Sequence, residues 1–236
     1  MNINKNKIIF IISAIVVLLS LSQPQLPAAS RGRLIERKID NVTVLVYVPG
    51  DYTVERKYPL IVGCHGAGQS GEEIYNAWRE AADKRGYIIA APNFEDYYKQ
   101  KGLRLDVFLL DVVKEMRSTY RIDRSRIVLV GNSRGARYSY LVGLVYSNVF
   151  SAIAPCSGNS SYLDGFPWRK SVKKIPVYVL HGELDPYFPL DEMYKEEKEL
   201  KRYGYKVKVH VNKGVGHAYP NALETPVPDW IDRHFK

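Results

Sequence analysis

Short apolar runs alternate with segments of helical periodicity along most of the chain. Two runs come first, at residues 33–39 and 42–48, and the turn pair Asp40-Asn41 between them predicts an antiparallel hairpin. Further strands are predicted at residues 58–64, 87–91, 126–130, 152–155, 175–180 and 206–211. Helices are predicted at residues 72–84, 105–120, 134–146, 190–203 and 228–235. A hairpin followed by repeated strand–helix units predicts a mostly parallel sheet with helices on both faces.

The first thirty residues follow a different pattern. Lys5 and Lys7 precede an apolar run at residues 8–21, and a stretch of small residues and prolines follows it. This layout is typical of a secretory signal peptide, and the run is shorter than the ~20 residues that a spanning helix needs. The alternative is a retained N-terminal anchor that tethers the protein to a membrane through residues 8–21. We therefore expect an export segment at residues 1–30, a single domain at residues 31–236, and a secreted, periplasmic or cell-surface protein.

Composition and charge exclude some classes of protein. The chain has 46% hydrophobic and 25% charged residues, as globular proteins do. The net charge is +9, but the basic residues are scattered among acids and accompany no nucleic-acid motif, so no nucleic-acid partner is predicted. Cys64 and Cys156 both end apolar runs, which favours two buried free thiols over the disulfide that export would permit.

Because ligands of such sheets bind at the carboxyl ends of the strands, functional residues are expected in the loops that follow them. The sequence Gly131-Asn132-Ser133-Arg134-Gly135 lies between a predicted strand and a predicted helix. It fits G-x-S-x-G, the pattern of a strained turn that exposes a nucleophilic serine. The same five-residue pattern also arises by chance as an ordinary tight turn, so the prediction depends on the partners of Ser133.

A nucleophilic serine needs a general base, and the chain has five histidines. His65 and His181 each follow a strand and precede a glycine, which indicates a backbone role. His210 lies inside a predicted strand, and His234 lies in the last turn of a predicted helix. Only His217 lies in a glycine-flanked loop after the final strand, so His217 is the predicted base.

The base in turn needs a carboxylate that orients it. Asp185 occupies the turn after the penultimate strand, and the order Ser133, Asp185, His217 is one that strand–helix hydrolases use. Glu183 and Asp191 are nearby alternatives.

The oxyanion of an acyl-transfer reaction needs two donors, of which one is the backbone N–H of the residue after the nucleophile. That residue is Arg134. The second donor is expected in the small-residue loop after Cys64, from Ala67 first and Gly66 next.

These motifs resemble those of the α/β-hydrolases that include polyhydroxybutyrate depolymerases and feruloyl and acetylxylan esterases. The resemblance rests on His65-Gly66, residues 126–135, His181-Gly182 with Asp185 and Pro189, and Gly216-His217, and it covers residues from about 40 to 236. It implies the α/β-hydrolase fold, a Ser-His-Asp triad and no metal or organic cofactor.

The substrate side of the site is predicted from length and aromatic content. Residues 157–173 are too few for a large lid, so the cleft is expected to be open. Candidate substrate-binding aromatics are Trp168, Tyr187 and Tyr219, and further aromatics of the rim are Tyr97 and Tyr98.

The sequence supports three hypotheses about function. The leading one is a serine hydrolase that cleaves carboxylic esters with a short acyl, aryl or polymer-linked group, such as feruloyl or acetyl-xylan esters. Its partner would be a small-molecule or polysaccharide-linked ester. The alternatives are a serine peptidase of the prolyl-oligopeptidase type and a non-catalytic surface-binding protein on a hydrolase scaffold.

Overall fold

The protein has a mostly parallel sheet between two layers of helices. The computed structural model describes residues 31–94, 105–160, 171 and 173–235. Within them the strands are β1 (Arg33–Ile39), β2 (Val42–Val48), β3 (Tyr58–Cys64), β4 (Ile88–Pro92), β5 (Ile122–Asn132), β6 (Ala152–Cys156), β7 (Val177–Gly182) and β8 (Val207–Asn212). The α-helices are α1 (Gly71–Arg85), α2 (Leu105–Thr119), α3 (Arg134–Tyr138), α4 (Leu190–Arg202) and α5 (Val227–His234).

The strand order is β1-β2-β4-β3-β5-β6-β7-β8. The pairs β1–β2 and β2–β4 are antiparallel, and every later pair is parallel. The sequence-based prediction of fold class is therefore confirmed. The loops after β3, β5, β7 and β8 leave the sheet at one edge, because these parallel strands all end there.

Two hydrophobic clusters cover the two faces of the sheet. Alternate residues of β3 divide between them, since Leu60 and Val62 belong to one cluster and Ile61 to the other. The first cluster includes α2 and α4, and the second includes α1 and α5. This division is the reason that the strands read as continuous apolar runs.

Most predicted boundaries agree with the structure to within two residues, and two do not. Strand β5 begins at Ile122, earlier than predicted. The polar residues at 123–126 interrupt the apolar pattern from which the strand was predicted. The helix predicted at residues 134–146 is α3 followed by a π-helical turn at Ser139–Gly143. A 3₁₀ turn at Ala222–Glu224 was not predicted.

The cysteine prediction is confirmed, because Cys64 and Cys156 are both buried and free. The predicted export segment at residues 1–30 lies outside the described residues. Within the described part of the chain, no helix is both long and apolar enough to span a bilayer.

Candidate active site

Ser133 lies at a strained turn between β5 and α3. Its φ of 52° and ψ of −112° are unusual for any residue other than glycine. Backbone strain of this kind persists where the surrounding structure holds it. Here the Ser133 N–H donates to the Cys156 carbonyl at 2.9 Å, which fixes the turn to the end of β6.

The two glycines of the motif are required by close approach of the backbone. A Cβ atom at Gly131 would lie 2.3 Å from the Gly135 carbonyl oxygen. A Cβ atom at Gly135 would lie 2.0 Å from the carbonyl oxygen of Cys64. The segment G-x-S-x-G therefore forms a sharp strand-to-helix turn that packs closely against the end of β3.

His217 and Asp185 form a hydrogen-bonded pair. Asp185 Oδ2 lies 2.8 Å from His217 Nδ1, and the Asp185 side chain is fully buried. Its other oxygen, Oδ1, accepts from the backbone N–H groups of Tyr187 at 2.9 Å and Phe188 at 3.1 Å. Burial by itself would raise the pKa of Asp185, but the hydrogen bonds from His217, Tyr187 and Phe188 outweigh it and hold the pKa below its ordinary value. The carboxylate is thus kept ionised beside the imidazole.

Ser133 and His217 line the same cavity, which has a volume of about 610 Å³. No hydrogen bond joins these two described residues in this structure. Hydrogen bonds between nucleophile and base commonly form only when substrate is bound. The imidazole is packed edge-on against Tyr187, with ring centroids 5.0 Å apart, and is stacked on Phe188 at 5.8 Å.

The remaining histidines lie outside this arrangement. His65 is buried and stacked on Phe94, and its Nδ1 contacts the Gly66 carbonyl at 2.8 Å. His181 is buried, with its Nε2 2.6 Å from the Phe188 carbonyl. His210 lies on β8, and His234 stacks on Trp230 at the end of α5.

The alternative acids have other partners. Glu183 accepts from the backbone N–H of Gly214 at 2.8 Å and so braces the loop that carries His217. Asp191 pairs with Lys195 at 2.8 Å on the exposed face of α4.

The predicted oxyanion donors lie around Ser133. Arg134 is the first residue of α3, directly after Ser133. Gly66 and Ala67 both line the cavity. The Gly66 N–H is engaged, because it donates to Glu73 Oε2 at 2.8 Å, whereas the Ala67 N–H has no hydrogen-bond partner among the described residues.

The predicted substrate-binding aromatics divide into two groups. Tyr187 is 72% exposed at the cavity, and Tyr219 also lines it, with its hydroxyl accepting from Trp78 Nε1 at 2.9 Å. Trp168 and the rim candidates Tyr97 and Tyr98 lie outside the described residues.

The cavity also contains polar residues that sequence reasoning did not identify. They are Gln69, Glu73, Asn132, Arg137 and Glu192. The position of Asn132 directly before Ser133 is the one local signal that could have identified a member of this group. Within the described ranges, no group of three His, Cys, Asp or Glu side chains could hold a metal ion.

The chain is similar in sequence and in fold to known esterases. A family model described as phospholipase/carboxylesterase matches residues 108–234, which is more than half of the chain. The chain is 25% identical over 163 residues to the bifunctional acetylxylan esterase/xylanase XynS20E of Neocallimastix patriciarum, covering 67% of this chain and 23% of that protein. It is 29% identical over 131 residues to feruloyl esterase B of Talaromyces funiculosus, covering 50% of this chain and 36% of that protein. The chain therefore spans well under two thirds of the length of these relatives.

The fold agrees with a solved structure as well. A thermostable esterase superposes with a TM-score of 0.67 at 19% identity, over 86% of this chain and 62% of the other. At this identity the likeness concerns the fold alone.

Proposed function

This chain belongs to the phospholipase/carboxylesterase family of α/β-hydrolases, and on that premise we propose that it is a serine hydrolase of carboxylic esters. The observation that carries the proposal is one cavity lined by a strained Ser133 and by His217, whose imidazole is held by the buried Asp185. A hydroxyl, a base and an orienting carboxylate are the parts that acyl transfer needs.

Each group has a role in the proposed reaction. Nε2 of His217 removes the Ser133 proton as Oγ attacks the ester carbonyl, and Asp185 stabilises the imidazolium that results. The N–H groups of Arg134 and Ala67 stabilise the tetrahedral oxyanion. The imidazolium then protonates the leaving alcohol, and an acyl-enzyme remains on Ser133. Water, deprotonated by the same imidazole, releases the acid and restores Ser133.

The composition of the cavity supports a polar substrate. Its lining includes Gln69, Asn132, Arg137 and Glu192, which offer hydrogen-bond partners and little apolar surface for a long alkyl chain. Tyr187, exposed beside His217, offers a face on which a sugar or an aryl group can pack. We propose short acyl or aryl esters, free or attached to a polysaccharide such as feruloyl- or acetyl-xylan. The names of the two enzymatic relatives support the same class.

A panel of substrates tests this proposal. We expect kcat/KM to be higher for p-nitrophenyl acetate, methyl ferulate and acetylated xylan than for p-nitrophenyl palmitate or for a prolyl p-nitroanilide. Faster cleavage of the palmitate ester would contradict the polar substrate class. Faster cleavage of the anilide would favour a peptidase, and no cleavage of any substrate would favour a binding protein.

We further propose that the protein is exported and acts at or beyond the cell surface, on the strength of the pattern at residues 1–30. The intact mass of the protein recovered from the medium and from the membrane fraction distinguishes a cleaved signal peptide from a retained anchor. Protein found in the cytoplasm with residues 1–30 intact would contradict export.

A further inference from the structure

The carboxylate of Glu73 connects two separate parts of the cavity wall. Its Oε2 accepts from the backbone N–H of Gly66 at 2.8 Å, in the loop after β3. Its Oε1 accepts from Asn132 Nδ2 at 2.7 Å, directly before Ser133. One side chain therefore ties the loop that carries Ala67 to the turn that carries Ser133.

The position of Glu73 is itself fixed. It lies in the first turn of α1, where its own N–H donates to the Ser70 carbonyl at 3.1 Å. Ser70 caps the helix, because its side chain accepts from the N–H of Glu72 at 3.2 Å. The carboxylate is thus presented from a rigid helix end and not from a mobile loop.

Helix stabilisation alone does not account for these contacts. An acidic residue in the first turn of a helix interacts favourably with the macrodipole wherever its side chain points. Glu72 occupies the same turn and is exposed. Glu73 instead directs both carboxylate oxygens onto donors outside its own helix, one in the loop after β3 and one at the end of β5.

The contact at Gly66 bears on the oxyanion donors. The Gly66 N–H belongs to the peptide directly before the one that carries the Ala67 N–H, so the bond to Glu73 anchors the residue from which the Ala67 peptide extends. The carbonyl oxygen of the Ala67 peptide lies 2.8 Å from His65 Nδ1 and accepts from the Gln69 N–H at 3.2 Å. Stabilisation of an oxyanion depends on donors held at 2.7–3.1 Å from its position before the reaction begins.

We propose that Glu73 is a positioning residue, which holds the Ala67 N–H at the distance from Ser133 that the oxyanion requires. This inference rests on the proposed esterase function. Glu73 does not touch the reacting atoms, and a negative charge near a developing oxyanion has no favourable electrostatic effect of its own. The role lies in the two hydrogen bonds.

Substitution by glutamine separates the hydrogen bonds from the charge. In Glu73→Gln, the amide oxygen can still accept from Gly66. Its NH₂ can donate to Asn132 Oδ1 after the Asn132 amide rotates by half a turn. That oxygen is buried and accepts no hydrogen bond in the described part of the chain. Glu73→Gln therefore retains the tether, and Glu73→Ala removes it.

The kinetic test compares these variants with a control in the same helical turn. We expect Glu73→Ala to lower kcat for p-nitrophenyl acetate by about 10- to 100-fold, because a displaced donor loses part of the ~10²–10³ that such a donor supplies. KM should change much less than kcat. We expect Glu73→Gln to recover most of the lost kcat, and the control Glu72→Ala to match the wild type. Unchanged kcat in Glu73→Ala, or an equal loss in Glu73→Gln, would overturn the inference.

Two further measurements keep the test independent of folding and of the esterase proposal. Circular dichroism and urea unfolding show whether each variant is folded. If Glu73→Ala does not fold, Glu73→Met replaces it, because methionine keeps the length of the side chain but has no carboxylate to accept the two hydrogen bonds. Hydrogen exchange of the peptide spanning residues 65–69 should accelerate in Glu73→Ala and Glu73→Met but not in Glu73→Gln. Unchanged exchange would overturn the tether even in a protein that cleaves no ester, whereas an inactive wild type with accelerated exchange would contradict only the proposed function.

Discussion

Asp185 differs from the two alternative acids, Glu183 and Asp191, in how it is held. Its side chain is fully buried and receives hydrogen bonds from His217 and from two backbone N–H groups. Glu183 and Asp191 are exposed and bind a loop N–H and a lysine. A carboxylate that orients a catalytic imidazole must stay ionised in a dry setting, and Asp185 meets this requirement through its donors.

Replacement of Asp185 by asparagine should strongly reduce catalysis. The amide cannot stabilise the imidazolium and favours the wrong tautomer of His217, so kcat for p-nitrophenyl acetate should fall by roughly 10⁴. Glu183→Gln is the matched control, since Glu183 braces the loop that carries His217 but does not contact the imidazole. An equal loss in Glu183→Gln or Asp191→Asn, or full activity in Asp185→Asn, would contradict the role proposed for Asp185.

Glu196 carries a pH-dependent cost to stability. Burial raises the pKa of this carboxyl above its ordinary value, although hydrogen bonds from Ser160 oppose the shift. Because the folded-state pKa exceeds the unfolded one, the group favours folding below the unfolded pKa of about 4.3, and this contribution is lost as pH rises through the folded pKa. Glu196→Gln, which still accepts from Ser160, should therefore unfold at higher urea concentration than the wild type at pH 7–8. The difference should shrink as pH falls towards 4, and a difference that does not vary with pH would contradict this account.

Around Ser133, backbone segments approach each other so closely that two positions have no room for a Cβ atom. Turn geometry brings α3 onto the end of β3, and the glycines at 131 and 135 are the positions where backbone meets backbone. The π-helical turn at Ser139–Gly143 continues α3 along the sheet, and a Cβ atom at Gly143 would lie 2.3 Å from Ile153 Cγ2. The fold therefore depends locally on glycine, and the strained Ser133 is held by this packing.

Gly135→Ala should destabilise the whole domain. The added methyl would lie 2.0 Å from the Cys64 carbonyl oxygen, and backbone atoms on both sides would have to shift. We expect a loss of at least about 1–3 kcal/mol in the free energy of unfolding, as for other over-packed positions. Gly216→Ala is the control, because the nearest atom to its Cβ is the Leu184 carbonyl oxygen at 3.8 Å. Equal urea midpoints for the two variants would show that the close approach at Gly135 is not required.

Across the whole molecule, the sequence predicts what is encoded locally. The bounds of the hairpin strands agree with the prediction to the residue, because the pair Asp40-Asn41 marks the turn in the sequence. In the structure both turn residues have positive φ, as such a turn requires. The strand–helix alternation predicts that the loops bearing Ala67, Ser133, Asp185 and His217 share one edge of the sheet.

Local sequence pattern does not encode the order of the strands or the contacts between distant loops. The bonds from Gly66 and Asn132 to Glu73 form only once β3 and β5 are neighbours. For the same reason, the sequence did not predict the salt bridges from Arg85, at the end of α1, to Asp229 and Asp232 of α5.

Covalent labelling tests most directly whether Ser133 is the nucleophile. A fluorophosphonate should modify the wild-type protein at a single site, identified by peptide mass spectrometry as Ser133. Ser133→Ala should lose both this labelling and the hydrolysis of p-nitrophenyl acetate, with a fall in kcat of about 10⁶, as expected for removal of a triad nucleophile. A folded Ser133→Ala protein that still hydrolyses the ester at the wild-type rate, or a wild-type label on another residue, would contradict the account.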